Sequence, residues 1–348
     1  SRAGRPKRSR PPSIPPRPRR PAASPTEGGR ADLPGAVGDT GGVDAGPAPD
    51  PPLARQIAVR PPFAWSALRA RLAAWDAPAW DLDLAPDGTG SEGTGAGGPG
   101  AGDHAPIRLA WAVPSGAAVA TVRPLGEDRL SVVLARDDVP LSVEDVAAAL
   151  AGLRRAWGLD DDLTPLEAAA ADDPPFAAIE RRLRGARVLR HPTPAEALAW
   201  TLVRQRTPHR FARASLRRLR DALGPVAQAH GRRWRAFPDA ATLAGDEARP
   251  ALLAATNNVR KVERLHAAAG TLATLDEAWL RTGPTREVTR ALGHAHGVGS
   301  WTVDYLMLLG LGRLERVPWS DTGLAQAVAD AYAGGLRLDG TTMRSLAA

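Results

Sequence analysis

The stretch His296-Gly297-Val298-Gly299-Ser300-Trp301-Thr302 opens an apolar helix that runs on into Val317-Pro318-Trp319-Ser320-Asp321. Gly297 and Gly299 flank a single valine. A backbone that turns sharply with amides free at the start of a helix needs glycine at such points. Amides at a helix N-terminus bind anions, and the anion lying along a duplex is phosphate. Roughly twenty residues later a lone carboxylate, Asp321, follows a proline-containing loop. A phosphate grip that delivers one acid to a sugar-phosphate backbone points to chemistry on DNA.

Outward from this stretch the chain reads as helical. Strand signals stop after Pro140. Ser142 then begins a helix with Glu144 and Asp145 in its first turn, where carboxylates suit the helix dipole. Apolar spacing and turn residues predict helices over 142–157, 165–171, 174–184, 194–206, 208–223, 239–244, 247–254, 257–270, 274–281, 284–294, 300–310 and 322–333. Upstream, Gln56-Ile57-Ala58-Val59, Ile107–Trp111, Ala118–Arg123 and Leu130–Leu134 read as strands, and Phe63–Trp75 as a helix. The expected class is α+β: a small N-terminal α/β unit over 56–140, an antiparallel sheet plus helices, then an all-α unit over 141–348. A Gly-rich run at 87–103 reads as a flexible surface insertion. Residues 1–55, rich in Pro, Gly, Ala and Arg, read as a disordered leader, because they lack the apolar side chains that would offset the entropy of ordering.

Composition removes whole classes of chemistry. The 348 residues include no cysteine, so there is no thiolate nucleophile, disulfide or cysteine-ligated zinc or iron–sulfur centre. Residues 1–30 hold nine basic side chains against Glu27, while the whole chain has a net charge of only +7. Basicity therefore belongs to the leader, which either holds polyanions without sequence preference or merely solubilises the chain. No uninterrupted apolar run spans a bilayer and no apolar-centred signal segment is present, so the expected protein is soluble, with no membrane partner.

With these motifs in order, the chain resembles the helix-hairpin-helix, Gly/Pro-Asp superfamily of DNA glycosylases, and within it bacterial 3-methyladenine DNA glycosylase II. Arg60-Pro61-Pro62-Phe63-Ala64-Trp65-Ser66 resembles the opening of that family's N-terminal domain. Trp157-Gly158-Leu159-Asp160 and Pro194–Gln205 resemble the start of its helical core. Gly299–Tyr305 and Pro318–Leu324 resemble its hairpin helix and catalytic loop, so the likeness covers about 56–335. It implies a cytoplasmic, nucleoid-associated bacterial enzyme of base excision repair, monomeric and without cofactor. Its partner would be double-stranded DNA containing damaged bases, from which it would hydrolyse alkylated purines and leave abasic sites. A glycosylase for uracil or hypoxanthine, or a non-catalytic DNA-binding helix-hairpin-helix protein, shares every motif above.

The resemblance also distributes roles. Asp321 would be the catalytic acid; its local sequence by itself reads as a helix N-cap before Thr322-Gly323-Leu324, the upstream hairpin turns the reading to catalysis, and both roles can coexist. Trp301 and Tyr305, one helical turn apart, would line the base pocket, although such a pair alone reads as core. Gly297, Gly299, Ser300, Thr302, Gln205 and Arg206 would contact DNA. Arg206 would fill the stack vacated by a flipped base, with a phosphate contact or a plain surface place as equal readings. Bifunctional relatives carry a lysine where Trp301 stands. The only lysines are Lys7 and Lys261, so the expected enzyme is monofunctional. Lys261, Arg260 and Arg264 read as a solvated helix face, and His294 and His296 as solvent- or phosphate-facing rather than metal ligands. No side chain would bind metal; the family's hairpin holds a monovalent cation by backbone carbonyls. Arg71 stands where the family has an aromatic residue. The chain stops at Ala348, short of the family's last helices, which reads as a truncated C-terminus.

Overall fold

The structure, a computed structural model, describes residues 53–75, 80–84 and 105–346. The leader up to residue 52 and the Gly-rich run 87–103 lie outside the described residues. Five antiparallel strands form the first layer in the order β1-β5-β4-β3-β2, with β1 Leu53–Ala58, β2 Leu82–Asp83, β3 Ile107–Val113, β4 Gly116–Pro124 and β5 Arg129–Ala135. Leu130, Val132 and Leu134 of β5 alternate into the core, as period-two patterning requires. Helix α1 (Trp65–Trp75) contributes Leu68 and Leu72 to the same core, and α2 (Val143–Trp157) contributes Val146, Leu153 and Trp157. The sheet's core therefore continues past residue 140 and takes in α2. Leu53, Ala54 and Arg55, placed by composition in the leader, instead pair with Leu134, Val133 and Val132. Backbone pairing on an edge strand asks little of side chains, so composition misplaced them.

A two-stranded hairpin, β6 (Val226–Ala229) and β7 (Arg232–Arg235), covers the other face of the sheet. Its Trp234 packs with Ala227 and Ala229 against Val119 and Ala117 of β4. The hairpin is absent from the sequence reading because His230-Gly231 stands where Asn-Gly would announce the turn. Both residues have positive φ, 53° and 71°, as a tight hairpin demands.

The remaining helices are α3 (Thr164–Ala171), α4 (Pro174–Leu183), α5 (Pro194–Arg204), α6 (His209–Leu223), α7 (Ala240–Leu243), α8 (Arg249–Thr256), α9 (Val259–Ala273), α10 (Glu277–Thr282), α11 (Thr285–Gly293), α12 (Ser300–Tyr305), α13 (Thr322–Tyr332) and α14 (Gly340–Leu346). Short α14 is missing from the sequence reading. Helix α5 is the hub: every residue from Pro194 to Val203 is buried, against α6, α9 and α12. The helix expected over 300–310 changes character at Leu306, where α12 passes into a π-helical turn, Leu306–Gly310. Gly310 lies so close to α5 that an added Cβ would stand 2.9 Å from the Ala197 Cβ. Glycine is thus what lets the π turn seat on α5. Among the described residues no helix is long and apolar enough to cross a membrane.

Asp145 ties α2 to the sheet. Its buried carboxylate accepts from the Ser115 amide and hydroxyl (3.0 and 2.6 Å) in the β3–β4 turn and from the Ser142 amide (3.0 Å). The Ser142 hydroxyl accepts from the Asp145 amide, completing a capping box. Burial pushes the carboxyl's pKa up, but the hydrogen bonds from Ser115 and Ser142 outweigh it and hold the group below its ordinary value. A depressed pKa stabilises the fold above the ordinary carboxylate range, and that stability is lost as pH falls through the lowered value. Asp145→Asn should therefore cost about 2 kcal/mol at neutral pH. In urea titrations across pH the gap from wild type should close on acidification.

Candidate DNA-contacting and catalytic site

Helix α11 ends at Gly293, and residues 294–299 turn the chain back into α12. Val298 N–H donates to the Ala295 carbonyl (3.1 Å) and closes the turn. Gly297 has φ +83°, and its Cα faces the stem of Arg264, with a Cβ only 2.7 Å from Arg264 Cγ. Both facts demand glycine. Gly299 differs: its φ is −95° and nothing lies within 4 Å of its would-be Cβ. Conformation does not require glycine there; its absent side chain leaves open the space in front of α12. Ser300 and His296 are exposed at this end. Thr302, expected at the DNA face, is instead only 2% exposed, because the second position after Ser300 turns inward on a helix whose inner face packs on α5. Its side chain is not available to a duplex.

The loop from the π turn to α13 is held at several points. Arg316 pairs with Asp304 of α12 (Nε–Oδ1 3.0 Å). Buried Arg313 donates to the carbonyls of Leu280 and Gly283. A turn in which the Asp321 amide donates to the Pro318 carbonyl (2.8 Å) then presents Asp321 as N-cap of α13. Its Oδ1 accepts from the amides of Gly323 and Leu324, both at 2.9 Å. Its Oδ2 accepts from Trp301 Nε1 at 3.0 Å. Three donors thus occupy three of the four acceptor positions of an ionised carboxylate. Half-buried Asp321 lines a cavity of about 670 Å³, whose walls are residues 319–322 with the first turns of α13 on one side and residues 337–343, including the start of α14, on the other.

Trp301 and Tyr305 do stand together, ring centroids 5.3 Å apart at 40°. They are not walls of that cavity; Trp301 reaches Asp321 through its indole N–H. Behind them runs a buried polar chain. The Tyr305 hydroxyl is 3.2 Å from His191 Nε2, and His191 Nδ1 is 2.9 Å from Glu196 Oε1. Glu196 Oε1 also accepts from Trp80 Nε1 at 3.0 Å. An ionised Glu196 can only accept, so His191 Nδ1 carries a proton towards it. Burial raises the Tyr305 pKa far above its usual value, with Glu196 and Asp321 adding to the effect against a hydrogen bond from Trp200. Tyr305 is therefore a neutral phenol. His191, Glu196 and Trp80 were not singled out in the sequence, and nothing local joins Glu196 to a tryptophan 116 residues away.

After α5 the chain turns at Gln205, Arg206 and Thr207. Gln205 Nε2 donates to the Gly297 carbonyl (3.1 Å), and Gln205 Oε1 accepts from Arg264 (3.1 Å). The turn therefore touches the hairpin directly. Arg206 is exposed at its apex with φ +52°. Lys261 is not a solvated side chain: half-buried, its ammonium donates to the Val203 carbonyl and the Thr207 hydroxyl. Burial, and Arg264 nearby, lower its pKa from the ordinary value. Among the described residues no three His, Asp or Glu side chains gather as a metal site.

The chain is similar in sequence to known DNA repair proteins. A Bacillus subtilis DNA-3-methyladenine glycosylase is 28% identical over 175 residues, 49% of this chain and 57% of that one. A Mycobacterium tuberculosis protein, described as a probable bifunctional transcriptional activator/DNA repair enzyme AlkA, is 29% identical over 223 residues, 64% of this chain and 42% of that one. The chain thus spans about half the length of the curated relatives it matches. No protein-family model matches it. Its fold is that of the 3-methyladenine DNA-glycosylase from Archaeoglobus fulgidus (TM-score 0.67, 17% identity, 84% of this chain and 91% of that one). The 8-oxoguanine glycosylase/lyase of Clostridium acetobutylicum is similar over 69% of this chain and 77% of its own, with TM-score 0.52 and 17% identity. The α+β class expected from the sequence is the class of this fold.

The two hairpin glycines should respond differently to alanine. Gly297→Ala meets both a positive φ and the Arg264 stem and should lose about 1–2 kcal/mol in denaturant unfolding. Gly299→Ala should stay within about 0.5 kcal/mol of wild type, as a substitution into open space at an ordinary φ.

Proposed function

We propose that this chain is a monofunctional DNA glycosylase of base excision repair that hydrolyses the N-glycosidic bond of alkylated purines in duplex DNA. The observation that carries the reading is the placement of Asp321: a carboxylate fixed by three donors at the wall of a cavity, one loop downstream of a glycine hairpin. The sequence similarity to DNA-3-methyladenine glycosylases supports the substrate class.

In this reading the open space at Gly299 admits a DNA strand, whose phosphate meets the amides at the start of α12. Breaking the glycosidic bond builds positive charge on the sugar. A carboxylate about 4 Å away, at an effective dielectric near 20, stabilises that charge by ~4 kcal/mol, on the order of a thousandfold in rate. Oδ1 is filled by the α13 amides, so the oxygen that works is Oδ2. Its remaining lone pair, beside the Trp301 N–H, holds and orients the attacking water. A methylated purine carries positive charge, and the Trp301 and Tyr305 rings supply electron-rich faces for it. The Tyr305 hydroxyl is engaged with His191, so Tyr305 offers its ring and not a hydrogen bond. Arg206 stands at the tip of its turn to fill the space an everted base leaves. Lys261 is committed to the end of α5, and the position after the hairpin is Trp301, so no amine attacks the sugar and the strand is left uncut. The Ala295 and Gly297 carbonyls each accept one hydrogen bond and keep a second lone pair. They would hold a monovalent cation of the kind the resemblance implies, which would add positive charge beside the phosphate.

The test is base release from methylated duplex DNA, resolved by chromatography. Asp321→Asn should reduce release about a thousandfold while duplex affinity stays near wild type; equal release from the variant would refute the assignment. Removing residues 1–52, which hold the leader's arginines and spare strand β1, should flatten the salt dependence of duplex affinity. An unchanged slope would show that those arginines do not touch phosphate.

A further inference from the structure

Lys261 is one of only two lysines in the chain, and it is spent inside the protein rather than on solvent. Its ammonium donates to the carbonyl of Val203, in the last turn of α5, and to the hydroxyl of Thr207. Thr207 is gripped from the other side as well: Arg204 donates to its carbonyl (2.9 Å), and its amide donates to the Arg204 carbonyl (3.0 Å). Between these anchors sits Arg206, exposed, with a φ of +52° that a residue bearing a side chain rarely adopts. A strained residue persists only where its neighbours over-determine it, and Lys261 is one of the groups that does so.

One helical turn further along α9, Arg264 does the corresponding thing for the hairpin. Its stem packs under Gly297, where a Cβ would meet Cβ, Cγ and Cδ of Arg264 within 2.7–3.0 Å. Its guanidinium donates to Gln205 Oε1, and the Gln205 amide donates in turn to the Gly297 carbonyl. Residues three apart on a helix lie on the same face. A single face of α9 therefore holds both the turn that carries Arg206 and the hairpin that carries Gly297.

We infer that Lys261 and Arg264 are positioning residues, which fix the Arg206 turn and the Gly297 hairpin to one face of α9 so that the two move against DNA as one rigid piece. The inference rests on the proposed action on an everted nucleotide and adds to it. The hairpin sets where the strand sits, and α9 sets where the side chain entering the stack stands relative to that strand. The lowered pKa of Lys261 agrees with an ammonium held for structure at a partly desolvated place. Neither residue needs to touch DNA for this, and removing either loosens a distance rather than a contact.

Such a role has a signature that general destabilisation lacks. Holding the stack open matters only when the target base must be extracted from a pair; opposite an abasic site that work is largely absent. Lys261→Met keeps the stem and loses the donors, Thr207→Val removes the hydroxyl acceptor on the turn while the Val203 carbonyl remains, and Arg264→Met frees Gln205. In single-turnover assays with the full chain, each should slow release of a methylated purine from paired duplex by about tenfold, and from the same base opposite an abasic site by less than about threefold. Lys261→Met combined with Arg264→Met should cost no more than the larger single effect, as parts of one unit do. Equal losses on both substrates, or no loss on either, would overturn the inference. A second readout needs no catalysis: fluorescence of 2-aminopurine beside a tetrahydrofuran abasic analogue should rise when wild type binds, and the variants should lose at least about half of that rise. If wild type raises the signal yet releases no base, the catalytic reading fails and the fluorescence alone decides here; variants with the full wild-type signal then refute the coupling. Absence of any rise with wild type overturns both. If Lys261→Met melts early, Thr207→Val and Arg264→Met carry the same comparison.

Discussion

The hydrogen bond from Trp301 Nε1 to Asp321 Oδ2 is the point on which the site turns. A carboxylate at a helix N-cap is ordinarily satisfied by its own helix, and Asp321 does accept from two amides of α13 through Oδ1. The indole gives Oδ2 a partner as well and ties the start of α13 to α12 across the intervening loop. The direction of the carboxylate is thus set by two elements at once, and the Trp301 that holds it is the second residue of α12, directly after the hairpin. Local capping and the tie to α12 are one arrangement here, because the cap uses one oxygen and leaves the other for the indole.

That arrangement is only as stiff as the seat of α12, and the seat is α5. Gly310 allows the π turn to lie against Ala197, and the His191 amide donates to the Leu309 carbonyl at 2.9 Å. A π turn widens the helix and shifts the backbone beyond it; here it redirects the chain into the loop that Arg313 and Arg316 then hold. Dense packing of small residues on α5 makes this seat, with Ala195, Ala197 and Ala199 all buried. Bulk at Ala197 would press on Gly310 and have to be absorbed by the π turn that continues α12.

How much of this was legible in the sequence depends on the range of the interactions. Helices declare themselves through spacing within a dozen residues, and those expected from Ser142 onward form within a few residues of their expected ends. Asp321, Trp301 and Gly297 stood out because a short motif holds them. The features that escaped rely on partners far along the chain. Thr302 shares a motif with Ser300, but which of them faces outward is decided by α5, 100 residues earlier. Lys261 looks solvated until the end of α5 is brought over it, 58 residues upstream. The hairpin β6–β7 was missed for a local reason, since His230 stands where Asn or Asp usually marks such a turn. Gly299 was over-read: two glycines flanking one residue suggest a shared demand for positive φ, yet only Gly297 meets it.

The N-terminal unit is tied to the site more closely than its separate sheet suggests. Trp80 sends its indole N–H to Glu196, the same oxygen that takes His191 Nδ1–H. The backbone of Trp80 also accepts from Arg220 of α6, and Asp81 accepts from the Arg235 amide of β7. A buried carboxylate is costly unless each lone pair it shows is answered, so Glu196 on α5 requires Trp80 as much as it requires His191. With Trp80 removed, Glu196 Oε1 would lose the indole donor and keep the His191 contact. The His191 ring, which meets Glu196 at Nδ1 and the Tyr305 hydroxyl at Nε2, stands next in that polar chain. A tryptophan beside the sheet is thus linked through Glu196 and His191 to the hydroxyl of the tyrosine that packs on Trp301.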